Sequence, residues 1–161
     1  MAIDPKHVGK KYGPTTYEVG VEKLREFAYA ISGGVPSMGF TGTGAPAGLH
    51  PWLHDAAKAK DSPYGGIIGL PNFAVVFSIA PFGQCVTDPE LGLDLLMLVH
   101  GEQDFEFFEP IRPGDVLTST GVIKEVFSKQ GKDFVILETE SKNQKGQLVV
   151  RGTWTAVIRQ A

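Results

Sequence analysis

Residues 62–87, SPYGGIIGLPNFAVVFSIAPFGQCVT, contain no Asp, Glu, Lys or Arg. A run this free of charge must leave water somehow, as a membrane span or inside a protein core. Pro63, Pro71 and Pro81, with Gly65, Gly66, Gly69, Asn72 and Gln84, interrupt it. Its unbroken apolar length therefore falls short of the ~20 residues that a spanning helix needs. What remains is a helix after Pro71, NFAVVFSIAPF, with no charged face, which predicts burial on every side.

From residue 93 onward the hydrophobic period changes to two. Strands are expected near 95–109, 115–128, 132–142 and 147–158. PIRPGD, SKQGKD and KNQKGQ separate them and have turn compositions. In FVILETE and GTWTAVIR apolar and polar residues roughly alternate, the mark of strands with one face buried and one solvated. Upstream, TTYEVGVEKLREFAYAISGG begins as a short extended piece and becomes a helix. Val21, Leu24, Phe27, Ala28 and Ile31 fall on one helical face, and Gly33 and Gly34 supply the stop. DAAKAKDSP gives one or two further turns, ended by Pro63. One apolar helix followed by four strands implies a sheet wrapped around that helix, an α+β arrangement. With no repeat and no linker, residues 1–161 form one domain.

Composition narrows the functional classes. Apolar residues make up 42% and charged residues 20% of 161, ordinary for a globular chain. The net charge is −3 and the fifteen Lys and Arg are dispersed, so neither nucleic acid nor an anionic membrane is expected as the main partner. Cys85 is the only cysteine, which excludes an internal disulfide and fits a buried structural thiol. The opening MAIDPKHVGKKYG has no apolar core of a signal peptide, so a cytoplasmic location is expected.

Two motifs invite specific chemistry. TGTGAPAG has G-x-G spacing at Gly42 and Gly44, but Pro46 and the lack of a clear preceding strand oppose a dinucleotide loop. The segment from Gly33 to Gly48 reads as a loop, suited to covering a cleft. His50 and His54 have an i, i+4 spacing without the glutamate of a zinc protease motif, so no metal is expected. Phe105, Phe107 and Phe108 in DFEFFEP either pack the core or line an apolar groove.

Four segments in order, YEVGVEKLREFAYAI, HPWLHDAAKAKDSPYGGII, LVHGEQDFEFFEPIRPGD and GKDFVILETESKNQKGQLVVRGTW, carry a resemblance. The chain resembles the MaoC-like hot-dog hydratases and dehydratases, especially the fatty-acid-synthase-type dehydratase halves that serve as (3R)-hydroxyacyl thioester dehydratase subunits. The resemblance implies a hot-dog fold, a curved antiparallel sheet wrapped around one buried apolar helix. It also implies an acyl-thioester substrate carrying CoA or phosphopantetheine, with no cofactor of the protein's own. Such a domain leaves a sheet edge open and pairs to continue the sheet. A homodimer, or a heterodimer with a MaoC-like catalytic subunit, is therefore expected.

The family's reaction brings an Asp and a His to one water, from a Gly-Asp-x-Asn-Pro-x-His stretch, while a glycine amide at the start of the buried helix binds the thioester oxygen. Laid over AGLHPWL, that stretch puts Gly48 at the aspartate position and Leu53 at the histidine position. Counting on from YGGII, Pro71 falls at the amide donor and has no N–H. A displaced set is the alternative: His54 as base, with His50 or Asp55 orienting it. Asp55 also suits a plain helix N-cap. The resemblance places the substrate wall at Tyr64, Gly65, Gly66, Pro71, Asn72, Phe73 and His100. His100 would face the acyl carrier or the partner's active-site wall, or else serve as a strand histidine at a subunit interface.

Three functions are carried forward. The first is a catalytically degenerate, substrate-binding subunit of a hydratase or dehydratase. The second is a self-sufficient homodimeric enzyme using His54 or His50. The third is a non-enzymatic acyl-thioester binder.

Overall fold

The computed structural model describes residues 3–31 and 49–159. The glycine stop of the first helix, the Gly33–Gly48 loop and the expected aspartate position at Gly48 lie outside them. The elements run β1 (Lys11–Glu18), α1 (Val21–Ile31), α2 (Ala56–Ala59), α3 (Ala74–Val86), β2 (Leu98–Phe107), β3 (Val116–Lys129), β4 (Lys132–Lys142) and β5 (Leu148–Arg159). The strands make one antiparallel sheet in the order β1-β3-β4-β5-β2.

The four expected strands are present, and a fifth, β1, precedes them. Only its second half was foreseen, because Gly13 and Pro14 break the alternation of KYGPTTYE, and the pairing with β3 shifts register there. The strand expected from residue 95 begins at Leu98. Asp94 starts a turn instead, its Oδ1 accepting from the Leu96 N–H and its carbonyl from the Met97 N–H.

In β4 every second residue from Asp133 to Ser141 is buried. This inner face, continued on β3 and β5, holds α3. The helix keeps its path despite Pro81 because the proline faces Gly121 of β3. A Cβ at that glycine would meet Pro81 Cβ at 3.0 Å and Leu137 Cδ2 at 3.1 Å. Any side chain there would push the helix off the sheet. Two apolar clusters fill the layer. One lies around Phe73, Phe77, Leu117 and Val149, the other around Phe82, Ile123, Leu137 and Trp154. Polar groups in the layer pair with one another: Ser119 Oγ lies 2.7 Å from Ser141 Oγ, and Trp154 Nε1 donates to Thr139 Oγ1 at 2.9 Å.

The apolar helix departs from the sequence reading in one respect. Its face toward the sheet is buried, yet Ile79 is 44% exposed and Ala80 is exposed beside it. The sheet covers one side of the helix, and among the described residues nothing closes over Ile79 and Ala80. Among the described residues no helix is long and apolar enough to cross a membrane.

A polar knot ties the end of α3 to β1. The Tyr12 hydroxyl donates to Asp88 Oδ2 at 2.9 Å, and Lys10 Nζ lies 2.6 Å from both Asp88 and Glu90. The Lys10 ammonium, with the Glu90 N–H and the Tyr12 hydroxyl, holds the Asp88 carboxyl down at about 2, below its usual 3.8. Burial and the same carboxylate push the Tyr12 phenol well above its ordinary value, and burial lifts the neighbouring Cys85 thiol to about 11. A carboxyl depressed by folding contributes stability that is complete above its unfolded pKa and lost as pH falls through the folded one. Asp88→Asn is expected to cost about 1–2 kcal/mol at neutral pH, allowing for solvent screening of the pair. It should also flatten the decline in stability between about pH 4 and 2. Urea unfolding of both proteins across that range checks this, and parallel declines would refute it.

Candidate functional site

Three segments meet at the start of α3. Trp52, Phe73, Val76 and Phe105 pack against one cluster, which joins the 50–55 segment, the helix start and the inner face of β2. The turn PIRPGD braces this end. Asp115 Oδ2 accepts from the Arg112 N–H at 2.8 Å; the Val19 N–H donates to the Asp115 carbonyl and the Val19 carbonyl accepts from the Gly114 N–H, both at 2.8 Å, which fixes the β1–α1 junction.

Pro51–Leu53 form a single 3-10 turn, capped by His50, whose Nδ1 accepts from the Trp52 N–H at 3.4 Å. The His50 ring stands edge-on to Trp52, with centroids 4.6 Å apart. Leu53, at the expected histidine position, is half-buried. The His54 ring lies 6.0 Å from Tyr29, and its carbonyl accepts from Arg25 Nε at 3.0 Å. Asp55 caps α2, its Oδ1 accepting from the N–H groups of Ala57 at 3.0 Å and Lys58 at 3.2 Å. Those amides keep its carboxyl below the ordinary carboxylate range. The structure thus brings His50, His54 and Asp55 into one short segment. It commits His50 and Asp55 to capping and joins no imidazole to a carboxylate among the described residues.

The helix start is short of donors. Leu70, in the capping place, offers no side-chain hydrogen bond, and Pro71 occupies the first position without an N–H. Pro71 and Asn72 are exposed, whereas Phe73 is fully buried against Phe27 and Phe77. Phe73 is thus part of the core beneath the helix start. Tyr64, Gly65 and Gly66 form a surface turn, held where Arg112 Nη1 donates to the Tyr64 carbonyl at 2.6 Å.

Further along, side chains of β2, β5 and the second half of α3 form a packed aromatic cluster. The His100 ring stacks on Trp154 at 5.5 Å and lies 5.4 Å from Phe82. Phe105 meets Trp154 edge-on at 5.8 Å, and Phe107 follows at 6.0 Å. Phe82 lies ten residues beyond Asn72, so the His100 end stands about 15 Å along the helix from its start. The chain separates His100 from the other candidates. Gln103 was not singled out from sequence. Its Nε2 donates to the Thr153 carbonyl at 3.1 Å, while its Oε1 is buried and unpaired among the described residues. The only available signal was its place in HGEQ, one residue of the segment that carried the resemblance. Trp154 and Phe82 read as ordinary core residues, since stacking on a histidine is invisible to periodicity. No three His, Cys, Asp or Glu side chains converge among the described residues.

The arrangement comprises an apolar cluster at the helix start and an exposed imidazole, His100, with aromatic neighbours. Among the described residues no imidazole there is hydrogen-bonded to a carboxylate.

Residues 6–151 match the family described as "FAS1-like, dehydratase domain region". A UPF0336 protein of Streptomyces griseus is 37% identical over 162 residues, covering 100% of this chain and 98% of its own. The C-terminally truncated HadBC (3R-hydroxyacyl-ACP dehydratase) complex of Mycobacterium tuberculosis is similar at a TM-score of 0.72 with 25% identity, over 98% of this chain and 99% of the matched one. A MaoC-like dehydratase from Rhodospirillum rubrum shares the fold at a TM-score of 0.68 with 18% identity, over 96% and 93% of the two chains.

Proposed function

Since the chain belongs to the FAS1-like dehydratase-region family and has the hot-dog fold of the MaoC-like dehydratases, we propose that it is the substrate-holding, catalytically degenerate subunit of a (3R)-hydroxyacyl thioester hydratase or dehydratase. A MaoC-like partner would supply the Asp and His. The observation that carries this reading is the use of the local acid and imidazole as helix caps, beside a helix that begins on Pro71. His50 and Asp55 are held on backbone amides, and the His54 ring is bonded to no carboxylate among the described residues, so no oriented pair is set beside a water here.

The substrate wall in this reading has two parts. Pro71 and Asn72, with Tyr64, Gly65 and Gly66 nearby in sequence, border the helix start, where the thioester head would enter. His100 is exposed at the edge of the aromatic cluster and, with the exposed ring of Phe107, would border the acyl tail. Each enclosed methylene is worth about 0.8 kcal/mol, so such a surface contributes binding without any catalytic group. The free edge of β2 is the surface for the partner. Two such edges pairing antiparallel would bring the His100 end of one subunit toward the helix start of the other, and so place His100 on the partner's site. The 25% identity to a chain of a dehydratase complex supports pairing. The single buried cysteine is compatible with work in the cytoplasm.

Crotonyl-CoA and longer enoyl-CoA esters assayed with the purified chain should give no turnover, and a co-expressed MaoC-like partner should restore it. In that complex His54→Ala should change turnover less than twofold. Turnover by the chain alone, abolished by His54→Ala, would establish the self-sufficient enzyme instead. Saturable thioester binding without turnover in any combination would leave a binding protein.

A further inference from the structure

The outer face of the sheet, turned away from α3, is electrically uneven. Over most of it the charges cancel: Arg151 bridges Glu140 at 3.0 Å and Glu106 at 3.1 Å, and Lys124 lies 3.3 Å from Glu138. At the β3–β4 hairpin they do not. Lys129 sits directly opposite Lys132, and Lys132 directly opposite Arg159 of β5. The three cations occupy one row across three adjacent strands, and among the described residues none joins an ion pair. Like charges directly opposite in a sheet are destabilising, so stability alone does not explain the row.

The next row on the same face is apolar. Phe127, Phe134 and Val157 are register partners, and the two rings stack in parallel at 4.7 Å with an interplanar angle of 6°. Phe127 is nevertheless 39% exposed. Above this row runs an open groove of about 370 Å³. It is open partly because position 101 is glycine: a Cβ there would meet Val157 Cγ2 at 2.6 Å. The third row carries Glu125 at one side and Glu102 at the other.

We propose that this face docks an amphipathic α-helix of another protein, laid across the strands. Its acidic stripe would rest on Lys129, Lys132 and Arg159, and its apolar stripe on Phe127, Phe134 and Val157. The spacing supports the match. Three neighbouring strands place their row over about 9.6 Å, and carboxylates at i, i+4 and i+7 of a helix span about 10.5 Å. Glu125 and Glu102 repel the acidic stripe from the other side of the groove and so fix which way the helix lies. A phosphate-bearing nucleotide suits the face less well, because the cations are spread along a row and do not converge on one point. This proposal is independent of the dehydratase reading.

The test is titration of the isotope-labelled full chain, followed by NMR, with a designed helical peptide. The peptide carries glutamates at its third, seventh and tenth positions and leucines at its fourth, eighth and eleventh. Saturable shifts should map to Phe127, Lys129, Lys132, Phe134, Val157 and Arg159. Affinity should fall at least tenfold when the glutamates become glutamines, and at least tenfold in the Lys129→Glu, Lys132→Glu double variant. Arg159→Gln, with a smaller loss, serves if the double variant does not fold. Absence of saturable shifts, shifts elsewhere on the protein, or equal affinity for the glutamine peptide would overturn the proposal. Tighter binding of ADP or of phosphatidylglycerol vesicles than of the peptide would overturn it as well.

Discussion

Trp154→Ala is expected to lower the free energy of unfolding by about 3–5 kcal/mol, a large part of what a domain of this size possesses. The indole is completely buried and is the largest side chain so placed. It stacks on Phe82 at 5.1 Å and on His100 at 5.5 Å, those two rings lying 5.4 Å from each other, and takes the edge of Phe105 at 5.8 Å. Removing it leaves a cavity bordered by three rings, and those rings belong to α3 and to the edge strand β2. The loss should therefore loosen the contact between helix and edge as well as reduce total stability. Trp154→Phe separates packing from polarity. It keeps most of the apolar surface but removes the donor to Thr139 Oγ1, and should cost about 1–2 kcal/mol. Urea unfolding followed by far-UV circular dichroism measures both. A loss below about 1 kcal/mol for the alanine variant would show that the aromatic stack is not the keystone of this layer.

The same stack shows where sequence reading succeeds and where it stops. Period-two alternation placed Trp154 on a strand and its neighbours on opposite faces, because pleating fixes side-chain direction residue by residue. It could not say that His100 lies against the indole, since that depends on a strand distant in sequence and on the pairing shift between His100 and Glu102. β1 was half-hidden for a related reason: Gly13 and Pro14 are poor strand residues, yet they sit where the pairing with β3 is interrupted. At the candidate site, the Asp55 cap was legible because capping is a local rule. The capping by His50 was not legible, since a histidine at that position has many alternatives. Gly48 lies outside the described residues, so the expected aspartate position stays an inference from the resemblance. Leu53 and Pro71, by contrast, occupy described positions whose chemistry can be judged.

The largest mismatch concerns α3, and it leads to the second strong expectation. A helix with no charged residue on any side reads as buried all round, yet the chain leaves Ile79 and Ala80 exposed, with Val76 and Gly83 half-buried on the same stripe. Leu96, Val99 and Phe107, at and beside the neighbouring edge strand, are exposed too. The two observations agree if a second subunit covers both the helix stripe and the β2 edge, so that burial implied by sequence is completed by assembly. Ile79→Asp tests this directly. In the lone chain the position is open, and the substitution should change the unfolding free energy by no more than about 0.5–1 kcal/mol. In an assembly the carboxylate would be shut into an apolar contact with no partner, a cost of several kcal/mol. Association with itself or with a MaoC-like partner should therefore weaken at least 100-fold, by sedimentation equilibrium, while the thermal midpoint of the free chain stays nearly unchanged. Undiminished association would mean that the stripe faces solvent in the working protein, and the apolar character of the helix would then need a different cause.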